Sequence, residues 1–213
     1  APIRLDHLLF GGGFQGALRL VREGDSWVLE FQPTTVSQRA RAGEPIRYRG
    51  RPEARPQDWL RWPVVAVTAQ QAESYAAWVA SSGRVPGARL CSEEEWERAA
   101  RGSDGRPYPH GWHLAASDAN HDETYGKISE AMGPDEVGMH PLSRSPFGVD
   151  DMAGNVWEWT RSRLSPSGYS ARGGSWYFGP SSSRVDDREE TEASFRDVSV
   201  GLRLCADLRR RGS

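Results

Sequence analysis

The sequence predicts an α+β domain in which two amphipathic helices pack on small twisted antiparallel sheets joined by long loops. Two capped helical periods stand close together, over Thr68–Gly83 and Ser92–Gly102, and only short apolar alternations flank them. The chain also carries 23 Gly, 14 Pro and 9 Trp in 213 residues. That mix calls for many turns and for a core built on large aromatics, each of which buries about 150–250 Å².

In the first 50 residues, Gly11-Gly12-Gly13 separates one apolar stretch from the next, Ala17-Leu18-Arg19-Leu20-Val21. Trp27, Leu29 and Phe31 alternate with Val28 and Glu30, the period of a short strand, and Pro33 ends it. Residues 41–57 are rich in Arg, Pro and Gly and read as a surface loop. Pro63-Val64-Val65-Ala66-Val67 reads as a buried strand. Thr68 and Gln71 are spaced as a capping box, and Ala72, Tyr75, Ala76 and Val79 fall on one helical face that stops at Gly83. Ser92 and Glu95 repeat the box, with Glu93 and Glu94 in the first turn, where the helix dipole favours anions. Trp96, Ala99 and Ala100 share the apolar face and Gly102 ends it. Beyond Gly102, loops and short strands are expected, without internal repeat.

Composition narrows the function. A formal charge of −2 supplies no global field toward nucleic acid or a membrane surface. No apolar run approaches the roughly 18–20 residues of a membrane span, so no membrane insertion is expected. No signal peptide opens the sequence, which favours a cytoplasmic location. Arg209-Arg210-Arg211 reads as a solvated basic tail, and residues 209–213 as that tail or a cloning remnant. Cys91 and Cys205 each follow Arg-Leu. Buried free thiols are the first reading, a mutual disulfide the second, and two lone cysteines make no metal site. His110 and His113 lack a third ligand nearby and read as loop histidines.

Four ordered stretches carry more. They are Pro63–Val67 leading into the first helix, Arg89–Gly102 (RLCSEEEWERAARG), Asn155-Val156-Trp157-Glu158-Trp159 after Phe147-Gly148 and Met152-Ala153-Gly154, and Arg172-Gly173-Gly174-Ser175-Trp176 with Val200-Gly201-Leu202-Arg203-Leu204. Together, over about residues 60–205, they resemble the formylglycine-generating, or sulfatase-modifying-factor, family. The resemblance implies a C-type-lectin-like fold: a single domain over 1–208 with a divergent first 60 residues. From the residues alone, Trp157 and Trp159 are core anchors, Gly173-Gly174 a turn or close approach, and Gly201 a bulge or close approach.

The resemblance also implies metal positions. Asp151, Gly154, Val156 and Glu158 match a calcium site, with carboxylates at the ends and carbonyls between. Asn120 matches the start of a second site whose acidic partner is not identifiable. Catalytic members oxidise a substrate cysteine to formylglycine with oxygen and copper(I), through cysteines three and eight residues after the serine of Gly-Gly-Ser. Those positions are Phe178 and Ser183 here, so copper is not expected. A related branch uses iron from a separate histidine-bearing domain. The stretch 175–199 mixes aromatics with small polar residues, as adaptable binding surfaces do. It also resembles the variable region of proteins diversified by retroelements. On that reading Trp176, Tyr177, Phe178, Ser181, Ser182, Ser183, Asp186 and Asp187 form the ligand site, all but Trp176 as exposed contacts. Arg184, Arg188 and Arg196 are then buried scaffold residues. A non-catalytic module for a protein or peptide ligand, either a diversified receptor or a sensor domain, is the leading expectation. Copper-dependent or otherwise altered oxidoreductase chemistry is the alternative, and a purely structural domain the third reading.

Overall fold

The structure is a computed structural model and describes residues 3–10, 14–53, 55–165 and 168–207. The Gly11–Gly13 break and the basic tail lie outside the described residues. The chain opens with a four-stranded antiparallel meander of β1 (Ile3–Phe10), β2 (Phe14–Glu23), β3 (Ser26–Gln32) and β4 (Gln38–Arg41). Glu23 pairs with Ser26, so Gly24-Asp25 forms a two-residue turn, and Gly24 supplies the positive φ of 62° that such a turn needs. In β3 the buried residues are Val28, Leu29 and Phe31, whereas Trp27 is 47% exposed.

Residues 41–57 are the largely exposed, irregular segment expected, but four of them anchor it inward. Ile46, Tyr48, Arg51 and Gln57 are buried, and Ile46 and Gln57 exchange backbone hydrogen bonds. The expected strand at 63–67 is absent. Val64 is exposed, Val65 makes only an isolated bridge to Gly201, and Ala66 has φ 60°, which interrupts the extended backbone. The Ala66 amide instead donates to the carbonyls of Asp197 and Val200.

Both helices form where their capping boxes place them. Helix α1 (Ala69–Ser81) has reciprocal Thr68–Gln71 bonds, and α2 (Glu93–Arg101) the same pair from Ser92 and Glu95. The α1 face buries Ala69, Ala72, Ala76 and Val79, while Tyr75 turns to solvent and meets Trp78 at 5.7 Å. Between the helices, β5 (Ala88–Leu90) pairs with β10 (Leu204–Ala206). The last sheet has the order β8 (Glu189–Thr191), β7 (Tyr169–Arg172), β6 (Trp157–Arg161), β9 (Val200–Leu202), and β6 and β9 run parallel. Gly201 lets the 64–65 segment lie against β9: a Cβ there would collide with the Val64 carbonyl oxygen.

The core has three parts. Leu29, Phe31, Ile46, Val156, Trp176 and Val198 join the meander to the second half of the chain. Ala69, Ala72, Leu90, Trp157, Trp159 and Val200 sit under α1. Cys91, Trp96, Ala100, Met152 and Val185 sit under α2.

Cys91 and Cys205 form a disulfide that closes a sequence separation of 114 residues, which corrects the free-thiol reading. The antiparallel register, Leu204 against Leu90 and Cys205 against Arg89, sets Cys205 diagonally across from Cys91, a juxtaposition invisible in the two isolated Arg-Leu-Cys triplets. Cys205→Ser, or reduction, is expected to lower unfolding free energy by roughly 2–4 kcal/mol. Denaturant unfolding with and without reductant checks this, and equal midpoints would show that the bond does not constrain the fold.

Candidate functional site

The segment after β7 leaves the sheet at Gly173-Gly174. Gly174 has φ 73°, and a Cβ on it would lie 2.7 Å from Ser183 Oγ, so the 3-10 turn Pro180–Ser183 packs directly over the strand end. The Trp176 amide donates to the Asn155 carbonyl at 3.0 Å and anchors the segment from below.

That packing divides the sequence-predicted contacts. Trp176 is 2% exposed and belongs to the core, and Ser183 is fully buried. Ser183 is therefore no exposed contact, because the turn that carries it folds inward onto Gly174. Tyr177 and Phe178 are half-buried in an aromatic run in which Trp176–Tyr177, Tyr177–Phe178 and Phe178–Trp157 are 5.8, 5.5 and 6.0 Å apart. Ser181 and Asp186 are exposed, and Ser182 and Asp187 half-buried. The Arg184 hydrogen bonds hold the Asp186 carboxyl below its ordinary value, while burial raises that of Asp187.

The arginines differ from expectation. Arg184 is exposed and pairs with Asp186 at 2.8 Å rather than in the interior. Arg188 and Arg196 are half-buried and join no ion pair among the described residues. The scaffold role falls to Arg172, which is fully buried and donates to Glu97 Oε2 at 2.7 Å and the Val185 carbonyl at 2.8 Å. Its place at the end of β7, before the double glycine, was the available signal.

Asp151, Gly154, Val156 and Glu158 are all buried. Glu158 Oε2 accepts from Trp96 Nε1 at 2.6 Å and Arg203 Nε at 2.7 Å, and Oε1 accepts from Arg203 Nη2 at 2.6 Å. Asp151 Oδ2 accepts from the Gly138 amide at 2.8 Å, and burial raises this carboxyl. With a guanidinium already on Glu158, the set fits an arginine-compensated carboxylate better than a calcium cage, which wants six to eight oxygens. At the other position, Asn120 Nδ2 donates to the Gly133 carbonyl at 3.0 Å, a structural bond. His113 is exposed, and His110 Nε2 lies 3.2 Å from Asp118, so the two serve separately.

Residues 20–208 match the sulfatase-modifying factor enzyme 1-like domain. The chain belongs to that family. The match reaches back well before residue 60, into the stretch that the motifs left divergent. Among relatives of this sulfatase-modifying-factor-like chain, hercynine oxygenase of Mycobacterium tuberculosis is 34% identical over 171 residues, covering 68% of this chain and 37% of the relative. The inactive C-alpha-formylglycine-generating enzyme 2 of Mus musculus is 38% identical over 128 residues, 55% of this chain and 38% of the relative. The chain thus spans little more than a third of the length of these relatives. The solved Treponema denticola variable protein 1 superposes with a TM-score of 0.60 over 92% of this chain and 96% of its own, at 17% identity, which shows the shared fold.

Two outcomes follow for the buried charges of this family member. Glu158→Ala strands Arg203 and Trp96 Nε1 and should cost roughly 3 kcal/mol. Calorimetric melting measures it, and in the same scans calcium should leave the wild-type midpoint unmoved. A calcium-dependent rise would restore the ion to Asp151 and Glu158. Asp197, just before β9, has its carboxyl raised by burial from 3.8 to about 6. The native state then holds its proton more tightly than the unfolded chain, so this group's contribution to stability falls as pH rises from about 4 to about 6. Relative to Asp197→Asn, the wild type should gain about 1 kcal/mol on going from pH 7 to pH 5. Denaturant titrations at both pH values read the difference, and parallel behaviour of the two proteins would contradict the assignment.

Proposed function

We propose that this domain is a non-catalytic ligand-binding module that takes a protein or peptide on the surface formed by residues 177–187. The supporting observation is the identity and packing of Phe178 and Ser183. They stand where catalytic family members carry copper-binding cysteines, one an aromatic ring packed on Trp157 and Tyr177 and the other a fully buried hydroxyl. Neither supplies the thiolate that copper(I) chemistry requires. Tyr177 and Phe178, with the exposed Ser181 and Asp186 and the half-buried Ser182 and Asp187, form a mixed aromatic and polar surface. Such surfaces suit recognition by rigid aromatic anchors with adaptable polar contacts. The diversified-receptor form of this reading draws on the fold shared with the variable protein and on this segment's composition.

A second reading, an oxidoreductase of altered chemistry, draws on the relative named hercynine oxygenase. There this domain would wall a substrate site while another part of the protein holds the metal.

Two measurements decide between them. Purified protein with copper, reductant and a Cys-x-Pro-x-Arg peptide should leave the peptide mass unchanged, and formylglycine above a no-protein control overturns the proposal. Peptides selected on the domain should lose affinity roughly tenfold on Tyr177→Ala or Asp186→Ala. Selected peptides that tolerate both changes bind elsewhere and also overturn it.

A further inference from the structure

A pocket of about 370 Å³ with a mixed polar and apolar lining lies among residues that share no member with the 176–187 segment. Its lining includes Arg51, Glu53, Arg55, Tyr125, Met139 and His140. The size falls at the lower end of the roughly 300–1,000 Å³ of small-molecule sites.

The wall of this pocket is rigid, and its charge is already spent. The Arg51 guanidinium lies between the rings of Tyr48 and Tyr125, 3.8 and 3.9 Å from their centroids. Its Nε donates to the Ala131 carbonyl at 2.8 Å, its Nη2 to the Gly133 carbonyl at 3.0 Å, and its Nη1 to Asp135. Asp135 is fully buried and also meets Tyr125 Oη at 2.9 Å and His140 Nε2 at 2.8 Å. Burial alone would raise its carboxyl, but the His140 hydrogen bond and the Arg51 charge outweigh burial and hold it low. Arg51 and Asp135 therefore neutralise each other, and their hydrogen bonds are made within the protein, to the carbonyls of Ala131 and Gly133 and to the pocket-wall side chains of Tyr125 and His140.

The charge left for a ligand is on the rim. Glu53 and Arg55 both line the pocket and are both exposed, and neither forms an ion pair among the described residues. They carry opposite signs. Two residues span at most about 7 Å of backbone, so their charged heads can close on one small molecule whose own opposite charges are separated by a single carbon. Met139 and the Tyr125 ring supply apolar surface beside them. His140 Nδ1, whose protein partner is the Ser117 carbonyl at the long distance of 3.5 Å, adds a polar edge.

We propose that this pocket binds a free α-amino acid, with its carboxylate on Arg55, its ammonium on Glu53 and its side chain against Met139 and Tyr125. Charge-assisted bonds at both ends give selectivity for a zwitterion over either half of it. The preformed wall means that little of the binding energy is spent on ordering the protein.

Isothermal titration calorimetry with the twenty L-amino acids, and with acetate and methylamine as single-charge controls, tests this. At least one amino acid should give saturable heat at a concentration where neither control does. Glu53→Gln and Arg55→Gln, both at exposed positions, should each weaken that binding roughly tenfold, with the circular dichroism spectrum unchanged. Asp186→Ala should leave it as it was. No saturable heat from any amino acid, or binding that survives both rim substitutions, overturns the proposal. Because the pocket and the 177–187 surface share no residue, either result leaves the peptide-binding reading to its own tests.

Discussion

Glu158 sits in an inner strand of the last sheet and is held there by three charge-assisted hydrogen bonds, one from Trp96 on α2 and two from Arg203 between β9 and β10. Arg203 Nη2 also reaches the Asp150 carbonyl, so the same guanidinium pins the loop that enters β6. Helix, sheet, loop and closing strand thus meet at one buried carboxylate. A buried charge is tolerated only when paired and hydrogen-bonded, so each of these elements is positioned by the need to satisfy it. The disulfide from Cys91 to Cys205 reinforces the same junction two residues further on.

The long irregular middle of the chain is held by a comparable device on a smaller scale. Asn155 accepts from the Asp135 amide at 2.9 Å and donates to the Asp135 carbonyl at 3.2 Å, while its own amide reaches the Asn120 carbonyl at 2.7 Å. Asn120 in turn holds Gly133, and Tyr48 Oη holds the Pro134 carbonyl at 3.0 Å. These side chains do for loops what ladders do for sheets, since buried backbone groups must find partners. The Arg51 pocket wall is the outer edge of this network. That is why a pocket formed largely by loops can be stiff.

Rigid polar scaffolding and a short outward segment divide the labour. Arg172, Trp176 and Ser183 face inward and hold the 176–187 segment, leaving Ser181, Asp186 and the edges of Tyr177 and Phe178 to solvent. Substitutions at the outward positions touch little of the core.

The sequence by itself determined the two helices and the fold family. Those features are local: a capping box, an apolar period and a residue's identity within a motif are all written within a few positions. Only the tertiary structure decided which polar residues face inward. Ser183 and Ser181 are identical in type and two positions apart, yet the turn over Gly174 buries one and exposes the other. The same holds for Arg172 against Arg184, for the pairing of Cys91 with Cys205, and for Glu158, whose partner is a guanidinium 45 residues away. The cluster of Arg51, Asp135 and His140 left no mark in the sequence, because its members lie more than 80 residues apart at the extreme and share no motif. Long-range pairing of charges depends on where separate elements come to rest, and no local pattern encodes that.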